Sequence, residues 1–528
     1  MEKNLTVTED YLYLPVCAGR EEKKAEIFVE TAGNREKIAE FLIPVDGTDG
    51  EYICDYYAEI PVREWRGREM VLGGDLPRAF FENVRFSGKR APVGGKRPAI
   101  HFTADTGWTN DPNGLIYADG VYHFYFQYNP FNTAWNNMSW GHATSTDLLH
   151  WKQEDSVMFP DESGTMYSGC ALDNAGGLLG LPEDAILFFY TAAGGINDWS
   201  GDAEFTQKIA YSLDGGRTLV KKKEPCLPTI YKENRDPKVY WHGESGAYVM
   251  VLWLKGNDYA VFRSADLEHW EQTDAFTLED AWECPDLFRL TSEEGESCWF
   301  FWTADGFYYP GDFDGYRFKM TGERHHAYLG RLPYAAQTYV GTKDRVISVP
   351  WLRMENDGRL FTSTYGIPVE LSFARTEDGA VLVQKPVREL MEHAVRLDAE
   401  ALRGNDNRIT YGSRAQSGKA AEESAAQGAG RGALVVEMKA KGDAPERYTW
   451  EINGSVVAYI PESGTLLVDE VKYQAGCGHR EFLFVVDDRI LELFFDGGLR
   501  AGAFILQGRD VCFAASPEAA EYTLYEVE

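Results

Sequence analysis

Ser145-Thr146-Asp147-Leu148-Leu149-His150-Trp151 recurs as Ser264-Ala265-Asp266-Leu267-Glu268-His269-Trp270. A degenerate copy lies between them, Ser212-Leu213-Asp214-Gly215-Gly216-Arg217-Thr218-Leu219. Each copy follows an apolar, strand-like segment. The spacing of starts at 145, 212 and 264 accommodates one four-stranded sheet per repeat, which predicts a β-propeller. Chance similarity of short polar turns is the weaker reading, because the first and last copies match so closely.

The segments around the repeats read as short strands. Leu115-Ile116-Tyr117 and Val121 to Tyr128 flank Asp119-Gly120, a two-residue hairpin signal. On the second of these strands His123, Tyr125 and Gln127 share one face by the period of two. Upstream, residues 1–95 contain alternating segments such as Ala25 to Val29 and Ala39 to Pro44 and end in a Gly- and Lys-rich joint, which predicts a small N-terminal β domain. Residues 96–365 hold the repeats. Residues 366–528 begin with strands and a short helix expected over Pro386 to Arg396, with Pro at its start. A patch rich in Ala, Gly, Ser and Glu, Ser413 to Gly432, is expected to be loop or disordered. Paired strands then return at Tyr448 to Ile452, Ser455 to Ile460, Glu481 to Val486 and Ile490 to Phe495. Asn453-Gly454 joins the first two, and the pattern predicts a C-terminal β-sandwich. The expected fold is therefore all-β, in three parts.

Three acids stand in marked settings: Asp111 in Trp108-Thr109-Asn110-Asp111-Pro112-Asn113-Gly114, Asp236 in Arg235-Asp236-Pro237-Lys238, and Glu283 in Trp282-Glu283-Cys284-Pro285-Asp286. Pro and its Asn and Gly neighbours remove helix as an option and predict a stiff turn before a strand. Carboxylates held this way suit glycoside hydrolysis, which needs one nucleophile or base and one acid that protonates the leaving oxygen. Any one of them alone would more simply be a turn-capping or surface acid.

Composition narrows the partners. The chain has 528 residues and a formal net charge of −31, which argues against nucleic acid or an anionic membrane. Aromatic residues make up 14%, suited both to sheet cores and to stacking on sugar rings. No apolar run is long enough to span a bilayer, and the first residues lack a signal-peptide pattern, so a cytoplasmic location is expected. The eight cysteines show no CxxC pair and are expected as free thiols. No metal-ligand spacing surrounds His325-His326, and no phosphate loop appears, so neither metal nor cofactor is expected.

Together the three acidic blocks, in this order, resemble glycoside hydrolase family 32, the invertases, inulinases and levanases. The resemblance covers roughly residues 98–528. It implies a five-bladed propeller followed by a sandwich, and a retaining, exo-acting β-fructofuranosidase acting on sucrose or short inulin- or levan-type chains. By resemblance Asp111 is the nucleophile, Glu283 the acid and then the base, and Asp236 a transition-state stabiliser acting through sugar hydroxyls. Asn110, Gln127, Trp135, Tyr167, Ser168 and Arg235 match substrate contacts. Trp140-Gly141-His142-Ala143 matches a further pocket block, while Tyr334-Ala335-Ala336-Gln337-Thr338 reads mainly as structural. Thr109, Asn136, Tyr167, Cys170 and Arg331 depart from the family's usual residues and leave the leaving-group side, and so the preferred substrate, open. A fructosyltransferase, or a silent fructan-binding protein, would use the same scaffold. The implied partner is a small neutral sugar, with homo-oligomerisation also considered.

Overall fold

The computed structural model describes residues 1–31, 33–47, 52–398, 408–412, 432–516 and 518–528, and the low-complexity patch lies outside them except for Gly432. The chain is built of β-strands. Among the described residues, no helix is long and apolar enough to cross a membrane.

Two small sheets form the N-terminal unit. One orders Glu2–Thr6, Glu69–Gly74, Glu22–Thr31 and Asn34–Pro44; the other orders Tyr56–Pro61, Tyr11–Val16 and Arg85–Ser87. Alternation drives their packing: along Tyr56–Pro61 buried and half-buried residues take turns, and Leu12, Leu14, Ile27, Ala58 and Ile60 meet in one core.

Five antiparallel sheets follow among the described residues, each with its inner strands in chain order. Their first strands are Gly107–Ala118, Thr165–Asp173, Arg235–His242, Asp286–Thr291 and Pro333–Thr338. The fifth sheet ends with Val369–Thr376 and Gly379–Pro386, so it continues past residue 365, where the sequence placed the joint to the last domain. The first sheet also takes up Phe361–Thr362, parallel to Gly107–Trp108.

The repeated motif turns the chain between the third and fourth strands of these sheets. Asp147 Oδ1 accepts from the amides of Leu149 (3.0 Å) and His150 (2.8 Å), and Asp266 Oδ1 accepts from Glu268 (3.0 Å) and His269 (2.8 Å). In both copies the Leu after Asp has positive φ, and the Trp indole bonds that Leu's carbonyl. Asp214 does the same for Arg217 and Thr218, and a fourth copy, unmarked in the sequence, places Asp314 under the amides of Tyr316 and Arg317. Burial works against the Asp147 carboxylate, but these amides and the His150 ring hold it down at about 2.

The first strands are pinned together below the site. The Lys238 ammonium, almost fully buried, sits 3.1 Å from Asp286 and donates to the Thr338 carbonyl at 2.7 Å. Thr338 returns its amide and hydroxyl to Asp286, each at 2.8 Å. This cluster, its contacts gathered on Asp286 Oδ2, ties the third, fourth and fifth sheets and pairs the buried charge.

Among the described residues, a seven-stranded and a six-stranded sheet follow and face each other across Leu434, Val436, Phe482 and Phe484 on one side and Trp450, Ile452 and Tyr459 on the other. The Asn453-Gly454 hairpin is present, both residues at positive φ, as is Asp119-Gly120. The helix expected over Pro386 to Arg396 is shorter, Glu389–Glu392. Ala394–Arg396 instead joins the large sheet beside Tyr525–Val527, where pairing outweighs local preference. His101, just ahead of the first of the five sheets, bonds Asp487 of this sheet at 2.9 Å. The eight cysteines are free.

Candidate active site

Four of the five first strands carry the same irregularity at the same end. The pairing register shifts between Thr109 and Pro112, Met166 and Gly169, Arg235 and Lys238, and Tyr334 and Gln337. The residues inside these bulges include Asn110 and Asp111, Tyr167 and Ser168, and Asp236. A bulge bends a strand and re-aims its side chains, and it tolerates a proline because the ladder is already broken there. Pro112 and Pro237 therefore mark bulges within strands. The turns expected at Asp111 and Asp236 are strands in the structure, for this reason. Glu283 alone sits in a loop, three residues before the fourth sheet begins at Asp286.

The bulges and that loop converge on one cavity of about 800 Å³. Asp111, Asp236 and Glu283 all line it, as do Asn110, Gln127, Trp135, Tyr167, Ser168 and Arg235. The Trp140 to Ala143 block does not. Trp140 is fully buried in the core behind the wall, and its indole donates to the Tyr167 carbonyl at 3.0 Å. Gly114 lets that core close: it has φ +52°, and a Cβ there would lie 2.9 Å from the Tyr125 ring.

Each acid has a distinct setting. Asp111 Oδ2 accepts a 2.6 Å hydrogen bond from the Ser168 hydroxyl. Burial pushes its carboxyl up from the ordinary range, with Ser168 opposing and the charge of Glu283 adding. Asp236 is 6% exposed and takes a left-handed φ of 64°, an unusual conformation for a residue with a side chain. Its Oδ2 accepts from the Cys284 amide at 3.1 Å. Burial pushes this carboxyl up to about 7 against the pull of Arg235, helped by the charges of Glu283 and Asp111. Glu283 also has positive φ, as does Cys284. The Arg235 guanidinium is in direct ion-pair contact with Glu283 Oε1, and the Tyr334 hydroxyl donates to Oε2 at 3.0 Å.

The surroundings fix these groups. Arg235 lies 4.0 Å over the Trp253 ring, so its fork is oriented by stacking, and the two carboxylates beside it keep it charged despite burial. The Cys284 thiol is 3.5 Å from Asp236 and 3.7 Å from Asp111. Burial, then those two charges, pushes it well above the usual thiol range, so a neutral S–H separates the two acids. Burial and Glu283 likewise keep Tyr334 a proton donor.

Sequence reasoning missed three parts of this wall. Tyr334 lay in a block read as structural, Trp351 had no local signal, and the loop from Gly194 to Glu204 carries no chemistry-bearing motif. Elsewhere, among the described residues, Asp147, His150 and His393 bring three ligand-type atoms within 4.8 Å of one another. The Asp147–His150 pair there has its counterpart in Asp266–His269, where it closes the same turn.

Residues 101–386 match the model of the glycosyl hydrolases family 32 N-terminal domain. The levanase of Bacillus subtilis is 34% identical over 327 residues, 56% of this chain and 47% of the levanase. An invertase of Debaryomyces hansenii is 34% identical over 278 residues, 48% of this chain and 52% of the invertase. The chain thus spans about half the length of these curated relatives. Among solved structures, a fructofuranosidase of Schwanniomyces occidentalis complexed with fructosylnystose superposes with a TM-score of 0.68 at 24% identity, covering 82% of this chain and 97% of that one. A family 32 glycoside hydrolase from Bifidobacterium adolescentis superposes over 100% of this chain and 99% of its own, with a TM-score of 0.66 at 18% identity. These two likenesses speak for the fold, and the match of the family model over residues 101–386 shows that the chain belongs to glycosyl hydrolase family 32.

Proposed function

We propose that this protein is a retaining, exo-acting β-fructofuranosidase that releases terminal fructose from sucrose or short fructo-oligosaccharides. On this reading the five sheets are the blades of a five-bladed propeller, and the cavity at their shared end is the active site. The observation that carries it is the convergence of Asp111, Asp236 and Glu283 on one cavity, with Ser168 on the first and Arg235 and Tyr334 on the last.

The chemistry follows from the settings. Asp111, held by the Ser168 hydroxyl, attacks the anomeric carbon of the fructosyl unit. Glu283 gives a proton to the departing oxygen, and the bond from the anomeric carbon to that oxygen breaks. Water activated by Glu283 then cleaves the fructosyl ester on Asp111, and fructose leaves with its original configuration. Asp236 lies beside both acids and stabilises the oxocarbenium-like transition state through sugar hydroxyls. Sugar hydroxyls entering the cavity take over the Arg235 hydrogen bonds and leave the Glu283 carboxyl facing the glycosidic oxygen.

The test is fructose release from sucrose, 1-kestose, inulobiose, levanbiose, inulin and levan, with Glu283→Gln beside the parent. Release from the short substrates, with kcat lowered about 10²–10⁴-fold in the variant, supports the reading. No release from any of them contradicts it.

A further inference from the structure

Two loops line the cavity, and the N-terminal unit holds both. The first, residues 130–138, joins the second and third strands of the first sheet and carries Trp135 into the cavity wall. Phe131 leaves this loop to enter the N-terminal core, stacked 3.9 Å from Phe41 with rings 9° from parallel. Glu22 accepts from Asn132 Nδ2 at 2.7 Å with one oxygen and from Asn136 Nδ2 at 3.2 Å with the other, on both sides of Trp135. Asn137 exchanges two hydrogen bonds with the Leu42 backbone, at 2.8 and 2.9 Å.

The second loop, residues 194–204, joins the corresponding strands of the second sheet and lines the same cavity. Here Glu40 Oε1 accepts the Trp199 amide at 2.8 Å. Its other oxygen pairs with Lys37 at 2.7 Å, and the Lys37 ammonium lies 5.3 Å from the Trp199 ring. Lys24 reaches Asp198 at 3.1 Å. Glu40 is only 4% exposed, so its bond to the loop is shielded from water and worth more than a surface contact.

We propose that the N-terminal unit is a specificity element of the active site. Through Glu22 and Glu40, acting as positioning residues, it fixes the Trp135 loop and the 194–204 loop so that they form the half of the cavity that receives the remainder of a fructo-oligosaccharide. This deepens the fructosidase reading and rests on it for the substrate class. Both loops are long connections between strands, and segments of that kind move unless tied down. Asn136, which stands where the family usually has Gly, supplies one of the ties.

The experiment compares Glu22→Ala and Glu40→Ala with Glu22→Gln and Glu40→Gln, which keep an acceptor at each position. Amide hydrogen exchange is read over 130–138 and 194–204, and KM and kcat are measured for sucrose and 1-kestose. Each Ala variant loses one or two hydrogen bonds to its loop, so exchange in that loop rises about tenfold and KM for 1-kestose rises about five- to tenfold, with kcat on sucrose within about twofold. The Gln variants recover most of both. Asn136→Gly repeats the test from the loop side with the N-terminal unit untouched. Unchanged exchange in both loops overturns the proposal, and so does an equal loss on both substrates carried by kcat. If the parent releases no fructose, the fructosidase reading fails, while the exchange data still decide whether the N-terminal unit holds the loops.

Discussion

Asp236→Asn separates what the active site costs the fold from what it does for catalysis. Asp236 is nearly fully buried, and its carboxyl rises from 3.8 to about 7, chiefly through burial. In the unfolded chain the same group is ionised above about 3.9. Between those two pH values the folded state holds a proton that the unfolded state has released. The contribution of this group to stability is therefore greatest below 3.8 and is lost as pH rises through about 7. At about 1.4 kcal/mol per pH unit, forcing the buried charge at pH 8 costs roughly 4 kcal/mol. Asn removes the charge and can still accept the Cys284 amide, though imperfect bonding by its own amide returns about 1–2 kcal/mol of the cost. The variant is then more stable by about 2–3 kcal/mol at pH 8, several degrees in Tm, with the advantage gone at pH 4. Its kcat falls about 10²–10³-fold, because the charge next to the developing cation is gone. Thermal unfolding of parent and variant at pH 4, 6 and 8 decides the matter. A gap in Tm that does not change with pH, or a variant less stable at pH 8, refutes the reasoning.

Three further outcomes are expected. Tyr334→Phe removes the 3.0 Å bond to Glu283 and lowers kcat about tenfold with little change in Tm, seen by steady-state kinetics beside a melt. For fully buried His101, burial pulls the ring down, but Asp487 and Glu492 more than offset it and push it up to about 9. That stability is fully present below pH 6.5 and lost as pH rises through 9, so His101→Gln is destabilised most at pH 6 and least at pH 10, read by denaturant titration. Asp147→Ala empties the turn of its acceptor and lowers stability by about 1–2 kcal/mol, measured by the same titration at pH 7.

Much of this was legible in the sequence because the relevant signals are local. The Ser-x-Asp-Leu-x-His-Trp copies are complete turns, with donor, acceptor and indole within seven residues, so their spacing marks the sheets. The fourth turn at Asp314 uses the same acceptor with neither His nor Trp, and its pattern dissolves among ordinary polar residues. The three acids were visible through their proline neighbours, yet those prolines suggested turns where the structure has bulges. A single strand does not show which register its partner adopts. The block holding Tyr334 reads as structural, and the N-terminal clamp had no local mark. Tyr334 meets Glu283 across 51 positions and Glu22 meets Asn136 across 114, so only the fold brings them together. The end of the fifth sheet was misplaced for the same reason, since Val369–Thr376 and Gly379–Pro386 read equally well as the start of a sandwich.

On the proposed mechanism Asp111 carries the sugar and Glu283 moves the proton. Glu283→Gln, lacking the base for the second step, is mixed with β-fructosyl fluoride, whose leaving group needs no acid. The mixture is then quenched in acid, digested and read by mass spectrometry. One fructosyl unit is expected on the peptide containing Asp111, and none when Asp111→Asn is added. A fructosyl unit on another residue would contradict it, as would release of fructose with inverted configuration and no adduct.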